Sequence, residues 1–241
     1  MIPRASRQEI NEAYTVDRLP LEEIRDKFGY HSTQNVTQVI RRYYGIPVRP
    51  RSSLWNIPLS PMQKQIVLGT MLGDAWIRFA AMDHCAAQLP YLRWKLECLK
   101  PFASGKIQPL RNNTEYHGQT FSHPEFTELR NLFYGNGSKK IFSPEILTKL
   151  GPLSVAVWYM DDGSYKKRDG RVTIATCSIG MENTKMVAEW FTSQGMEAAC
   201  HKNGVKQHWV VGFKKASSPI FLDWIRPYIH ESMSYKLGES Q

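Results

Sequence analysis

Asp74 and Asp162 lie 88 residues apart, each closing an apolar run and each followed by a strand-like stretch. A carboxylate at the C-terminal end of a helix meets the negative pole of the macrodipole, which costs roughly 0.3 to 1 kcal/mol before burial is counted. If the two apolar runs are helices that pack together, the acids meet and their repulsion adds to that penalty. A divalent cation removes the conflict. Hard oxygen ligands completed by water suit Mg²⁺ or Mn²⁺, and beside a phosphate-binding surface they suit metal-assisted phosphodiester hydrolysis. Taken singly, either aspartate reads as an ordinary turn residue ahead of a strand. Repetition at matching positions favours a metal-binding pair. Asp161, one residue before the second acid, is read as lying behind the metal ligand or facing solvent.

The elements that must position this pair repeat. Ser60, Pro61 and Gln63 give an N-cap, a first-turn proline and a capping box for the helix QKQIVLGTMLGDAWI, and Gly151-Pro152 opens LSVAVWYMDDGSY. Gly69 and Gly73 are four apart in the first, Ala156 and Met160 in the second, so small residues allow close backbone approach. SHPEFTELRNLFYGNGSKK and SSPIFLDWIRPYIHESMSYK also match, which makes a duplicated unit the simplest account. Each half reads helix, hairpin, helix, hairpin, helix. In the second, Asp169-Gly170 and Asn203-Gly204 are type I′ turn signals, with strands Tyr165 to Arg168, Arg171 to Cys177 and Val205 to Lys215. In the first, strands are expected over Trp76 to Ala81 and Ile107 to Phe121, with Asn112-Asn113 as a looser turn. Helices over 91 to 104 and 181 to 195 occupy equivalent slots. The expected fold is α+β: two pseudo-symmetric αββαββα halves over 59–150 and 151–241, each an antiparallel sheet with helices on one face. The other face offers Lys166, Arg168, Arg171, Lys202, Lys206 and His208, with Arg78 and Arg111 in the first half, as a nucleic-acid-binding set.

Composition agrees with a polyanionic partner. Lys and Arg outnumber Asp and Glu by 31 to 22 in 241 residues, a net charge of +9, which on a globular chain favours nucleic acid or an acidic membrane surface. No apolar run approaches the roughly 20 residues of a bilayer span, and the N-terminal stretch has no apolar signal core. The expectation is a soluble intracellular protein of the cytoplasm or nucleoid, without membrane attachment and with four reduced cysteines. Residues 1–48 read as a small all-α domain: Leu21, Ile24 and Phe28 form one apolar face, Gly29 ends that helix, and Val36, Val39, Ile40 and Tyr43 form the buried stripe of the next. Outside that stripe lie Gln34, Asn35, Thr37, Gln38, Arg41 and Arg42, the pattern of a DNA-reading helix-turn-helix. A cap of small helices with a solvated polar face is the alternative. Residues 49–58 read as a linker whose Arg49 and Arg51 lie along a phosphate backbone or in a minor groove.

VLGTMLGDA (67–75) and VAVWYMDDG (155–163) resemble the two copies of the motif that names the LAGLIDADG homing endonucleases, and residues 59 to 238 resemble their single-chain subgroup. The resemblance implies saddle-shaped sheets in the major groove of a long asymmetric double-stranded DNA site. It also implies a monomer, metal held by Asp74 and Asp162, and cleavage leaving short 3′ overhangs. Ala75 departs from the family's usual glycine. The resemblance further implies a lysine near the metals on each last strand. Lys214 fits in the second half and the internal repeat gives Gln119 in the first, so the two sites would be chemically unequal. Gln88 is a water-network residue or an ordinary surface amide. Lys95, Lys140 and Lys236 match family lysines and read as phosphate clamps or solvated charges. A group I intron maturase binding RNA and a catalytically silent DNA-binding regulator are the alternative functions.

Overall fold

The computed structural model describes residues 3–17, 19, 21–46, 54–78, 81–110, 114–135, 137, 140–203 and 208–238. The chain divides into two compact units, Met1–Ile57 and Pro58–Gln241.

In the first unit, Ser6 caps α1 (Arg7–Asn11) with a capping box through Glu9, and a π-helical turn, Glu12–Val16, follows. Helix α2 (Leu21–Phe28) leads through Gly29, at φ +69°, to Ser32, whose hydroxyl caps α3 (Thr33–Gln38). Ile10, Ile24, Val36, Val39 and Ile40 are fully or almost fully buried at its centre. Tyr43 departs from the expected stripe: it is 55% exposed. The cause is a second π-helical turn, Val39–Tyr43, closed by Tyr44 N–H donating to the Val39 carbonyl at 3.0 Å. The wider i→i+5 turn rotates Tyr43 outward and brings in Tyr44, which packs on the cluster and donates to the Ala5 carbonyl at 2.5 Å.

The second unit is a duplicated αββαββα. The first half runs α4 (Pro61–Leu72), β1 (Ala75–Arg78), β2 (Ala81–Ala86), α5 (Leu89–Cys98), β3 (Ala103–Leu110), β4 (Glu115–Thr120) and α6 (Pro124–Tyr134), and the short α7 (Pro144–Thr148) links onward. The second runs α8 (Pro152–Asp162), β5 (Gly163–Lys166), β6 (Arg171–Ala175), α9 (Gly180–Ser193), β7 (Ala198–Asn203), β8 (His208–Phe213) and α10 (Ser217–Ile225), ending in 3₁₀ turns. Both sheets are antiparallel with equivalent orders, β1-β2-β4-β3 and β5-β6-β8-β7. Each rests one face on its middle helix: a Cβ at Gly118 would press on Leu96 of α5, and Phe191 of α9 packs edge-on against Phe213 of β8.

Several boundaries differ from expectation. The first hairpin contains two short strands where one was expected, because β2 carries Asp83, His84 and Cys85 and shows no apolar alternation. Helix α5 stops at Cys98, and β3 begins at Ala103. Lys166 pairs with Arg171, so Asp169-Gly170 belongs to a four-residue loop and not a two-residue turn. Its Gly170 sits at φ +65° and donates to the Lys166 carbonyl. Asn203 pairs with His208; Gly204, and the Asn112-Asn113 turn, lie outside the described residues.

Candidate active site at the helix seam

Helices α4 and α8 pack at van der Waals distance because glycine lines their contact. A Cβ at Gly69 would fall 2.7 Å from Val157 Cβ and closer still to the Ser154 carbonyl; one at Gly73 would fall 2.6 Å from Asp161 Oδ2. At the N-terminal end of the seam, Gln65 accepts from Gly151 N–H and donates to the Lys149 carbonyl, each at 2.8 Å. The two helices therefore finish side by side. Asp74 follows the C-cap Gly73, and Asp162 is the last residue of α8.

One cleft of about 460 Å³ is lined by Gly73, Asp74, Lys140, Asp162, Ala175, Cys177 and Ser178. Burial, then the charges of Asp74 and Asp161, pushes the Asp162 carboxyl up to about 7, with Lys140 and Lys236 pulling the other way. Asp74, nearer the rim, is raised by burial and then by Asp161, against Lys95, Lys236 and Lys140. Lys140 and Lys236 are themselves lowered by burial, in spite of the acids.

These lysines are placed by the helix ends. Lys140 Nζ donates to the Gly73 carbonyl at 3.0 Å; Lys236 Nζ donates to the carbonyls of Met160 at 2.5 Å and Asp161 at 3.2 Å. Each half thus sends a cation from its closing segment to the unpaired carbonyls of its own motif helix, where the macrodipole favours positive charge. Lys95 is fully buried, 3.0 Å from Asp161 Oδ1, with its ammonium 4.4 Å from the centre of the Tyr91 ring. Asp161 is correspondingly 1% exposed at its side chain. The sequence reading of Lys95 as a clamp or solvated charge is thereby corrected, as is the solvent-facing option for Asp161, while Lys140 and Lys236 are half-buried and anchored on carbonyls, not freely solvated. Nothing in linear spacing reveals such burial, since lysine is normally exposed.

The other expected residues are placed elsewhere. Lys214 follows β8, is exposed and pairs with Glu197; it is not among the described residues lining the cleft. Gln119 is exposed on β4 opposite Asp83. Strand register makes its second-half equivalent Gly212, and that of Lys214 Phe121, because Ala103–Thr120 and Ala198–Phe213 are corresponding pairs. Gln88 is the N-cap of α5 and donates to the Tyr235 hydroxyl at 3.1 Å. Lys166, Arg171 and His208 are exposed on the helix-free sheet face and Arg168 in the adjoining loop. Lys202 departs from that set: it pairs with Trp209, its ammonium 5.2 Å from the indole, and alternation puts both on the α9 side with Phe213. Arg78 closes β1; Arg49, Arg51, Arg111 and Lys206 lie outside the described residues. On α3 and the turn after it, Gln34, Gln38, Arg41 and Arg42 are exposed, while Asn35 and Thr37 are half-buried, Thr37 donating to the Thr33 carbonyl.

Two hard carboxylates in an open cleft, each short of neutralising charge when ionised, fit Mg²⁺ or Mn²⁺, which take few protein ligands and keep waters. Among the described residues no group of three or more His, Cys, Asp or Glu gathers in the manner of an all-protein metal cage. No helix among them is long and apolar enough to cross a membrane.

Comparison with known proteins agrees with this architecture. The model of the LAGLIDADG DNA endonuclease family matches residues 64–221. Protein RecA of Mycolicibacterium flavescens is 34% identical over 206 residues, covering 74% of this chain and 47% of that one. The chain spans about half the length of that relative. Cytochrome b mRNA maturase bI2 of Debaryomyces hansenii is 29% identical over 213 residues, 76% of each chain. Among solved structures, the homing endonuclease I-WcaI bound to its DNA recognition sequence superposes with a TM-score of 0.69 at 19% identity, covering 80% of this chain and 94% of that one, and so shares the fold. With two motif helices meeting at a glycine seam and a family model matched across both halves, the chain belongs to the LAGLIDADG DNA endonuclease family.

Proposed function

We propose that the protein is a site-specific double-strand DNA endonuclease that hydrolyses phosphodiester bonds at a long asymmetric target, with Mg²⁺ or Mn²⁺ held by Asp74 and Asp162. The observation that carries this reading is the convergence of one acid from each repeat on a single cleft. A divalent ion bound there supplies Lewis acidity to the scissile phosphate and lowers the pKa of an attacking water. Asp74 and Asp162 hold it in their ionised form. Lys140 and Lys236, fixed on the helix-end carbonyls, offset the charge that a phosphate brings into the cleft. Lys166, Arg168, Arg171 and His208 give the duplex a basic surface, and Lys214 takes part through backbone contact more readily than at the metal, since it lies outside the cleft lining. The exposed side chains of α3, on a unit joined to the sheets by linker, add affinity through tethering. The active species is a monomer with internal pseudo-twofold symmetry.

Incubation of the full chain with a randomised duplex library and Mg²⁺ tests the reading. Paired cuts at a shared motif with short 3′ overhangs are expected, and chelation of the metal is expected to abolish them. Binding without scission in either Mg²⁺ or Mn²⁺ would overturn nuclease function in favour of a silent regulator. The likeness to the maturase over three quarters of both chains favours one second reading: binding of group I intron RNA, measured as splicing rescue.

A further inference from the structure

The helix-free face of the first sheet contains a buried acid that is only half satisfied. Asp83 on β2 is 4% exposed, although Met82 and His84 alternate with it toward α5. One carboxylate oxygen meets His117 Nε2 of β4 at 2.9 Å; the other, Oδ2, is buried with no hydrogen-bond partner among the described residues. Trp76, directly cross-strand from Asp83, stacks on the His117 ring at 6.2 Å between centroids. A half-satisfied buried carboxylate lowers stability. Nor does the scaffold require it: register places Ser164, Thr173 and Val210 at the equivalent positions of the second sheet, which folds in the same order with no acid, imidazole or indole at those three places.

A carboxylate accepts, so the ring donates its Nε2 hydrogen, and in the neutral imidazole Nδ1 is left as the acceptor. The His117 side chain remains 23% exposed. We propose that His117, its tautomer and ring plane fixed by Asp83 and Trp76, is a specificity-determining residue. Its Nδ1 accepts a hydrogen bond from the exocyclic amine of one base in the major groove, adenine N6 or cytosine N4. The inference rests on the reading above only in that this sheet face lies on a duplex. Asp83 and Trp76 act through His117 and are positioning residues.

The test uses the full chain in Ca²⁺ and recovers bound members of a randomised duplex library, so that base preference is read whether or not strands are cut. H117A should flatten the preference at one base pair by about 3- to 10-fold and leave the others unchanged. D83N keeps the volume but lets an amide donate to the ring, and should flatten the same position; thermal unfolding checks that both variants fold. Replacing the preferred base by its analogue without the amine, purine for adenine or 2-pyrimidinone for cytosine, should reproduce the loss in wild type and add none in H117A. An unchanged H117A profile, a D83N effect at a different base pair, or an even fall across all sequences would overturn the assignment. Binding with base preference but no scission in Mg²⁺ would sink the nuclease and leave this contact standing. A flat wild-type profile would sink both.

Discussion

Asp162 and Asp74 carry opposite consequences for stability and for activity. D74N or D162N is expected to lower cutting by at least about 10³-fold, several kcal/mol of lost charge stabilisation, while binding in Ca²⁺ stays within a few-fold; cleavage and gel-shift measurements separate the two. The folded carboxyl of Asp162, near 7, lies above its ordinary value near 4. Between those values the folded state binds more protons than the unfolded. Metal-free stability is therefore greatest at the acid end of that window and is lost as pH rises through 7. At pH 8 without metal, D162N should raise the free energy of unfolding by about 1 to 3 kcal/mol and flatten the slope to the part that Asp74 contributes, as urea titration would show. The buried Lys95–Asp161 pair behaves differently. K95M leaves an uncompensated acid and should cost about 3 to 5 kcal/mol, whereas K95M with D161L should recover most of it.

At the scale of elements, the glycines of α4 decide how near the motif helices approach. G69V would drive a branched side chain into Ser154 and Val157 and should cost about 3 kcal/mol in denaturant unfolding. This part of the architecture was readable in advance, because Gly69, Gly73, the Ser60–Gln63 capping box and the doubled motif are local patterns with one physical meaning. Strand β2 was not, since Asp83-His84-Cys85 lacks the alternation that marks a half-buried strand. The inward turn of Tyr44 was hidden because a single i→i+5 bond resets helical phase. Both candidate acids were recoverable from spacing, but the lysines around them were not. Lys140 and Lys236 come from closing segments 67 and 75 residues away in sequence and Lys95 from α5, 66 residues from Asp161, so only the folded chain brings them to the helix ends.

At the scale of the whole molecule, each of the two units has its own core, so residues 58–241 should fold without the first 57, and the intact chain should unfold in two calorimetric steps. Removing residues 1–57 should shorten the nuclease footprint and weaken binding without moving the cut, as protection mapping would show. The space above Gly73 is filled by Asp161, and the partner of Asp161 is a lysine borrowed from the other half. Two copies of the C-terminal half would set Asp161 against Asp161 with no Lys95 between them, while two N-terminal halves would leave Lys95 uncompensated. The two halves are thus a mismatched couple, and a homodimer built from either one should be less stable than the single chain that joins them.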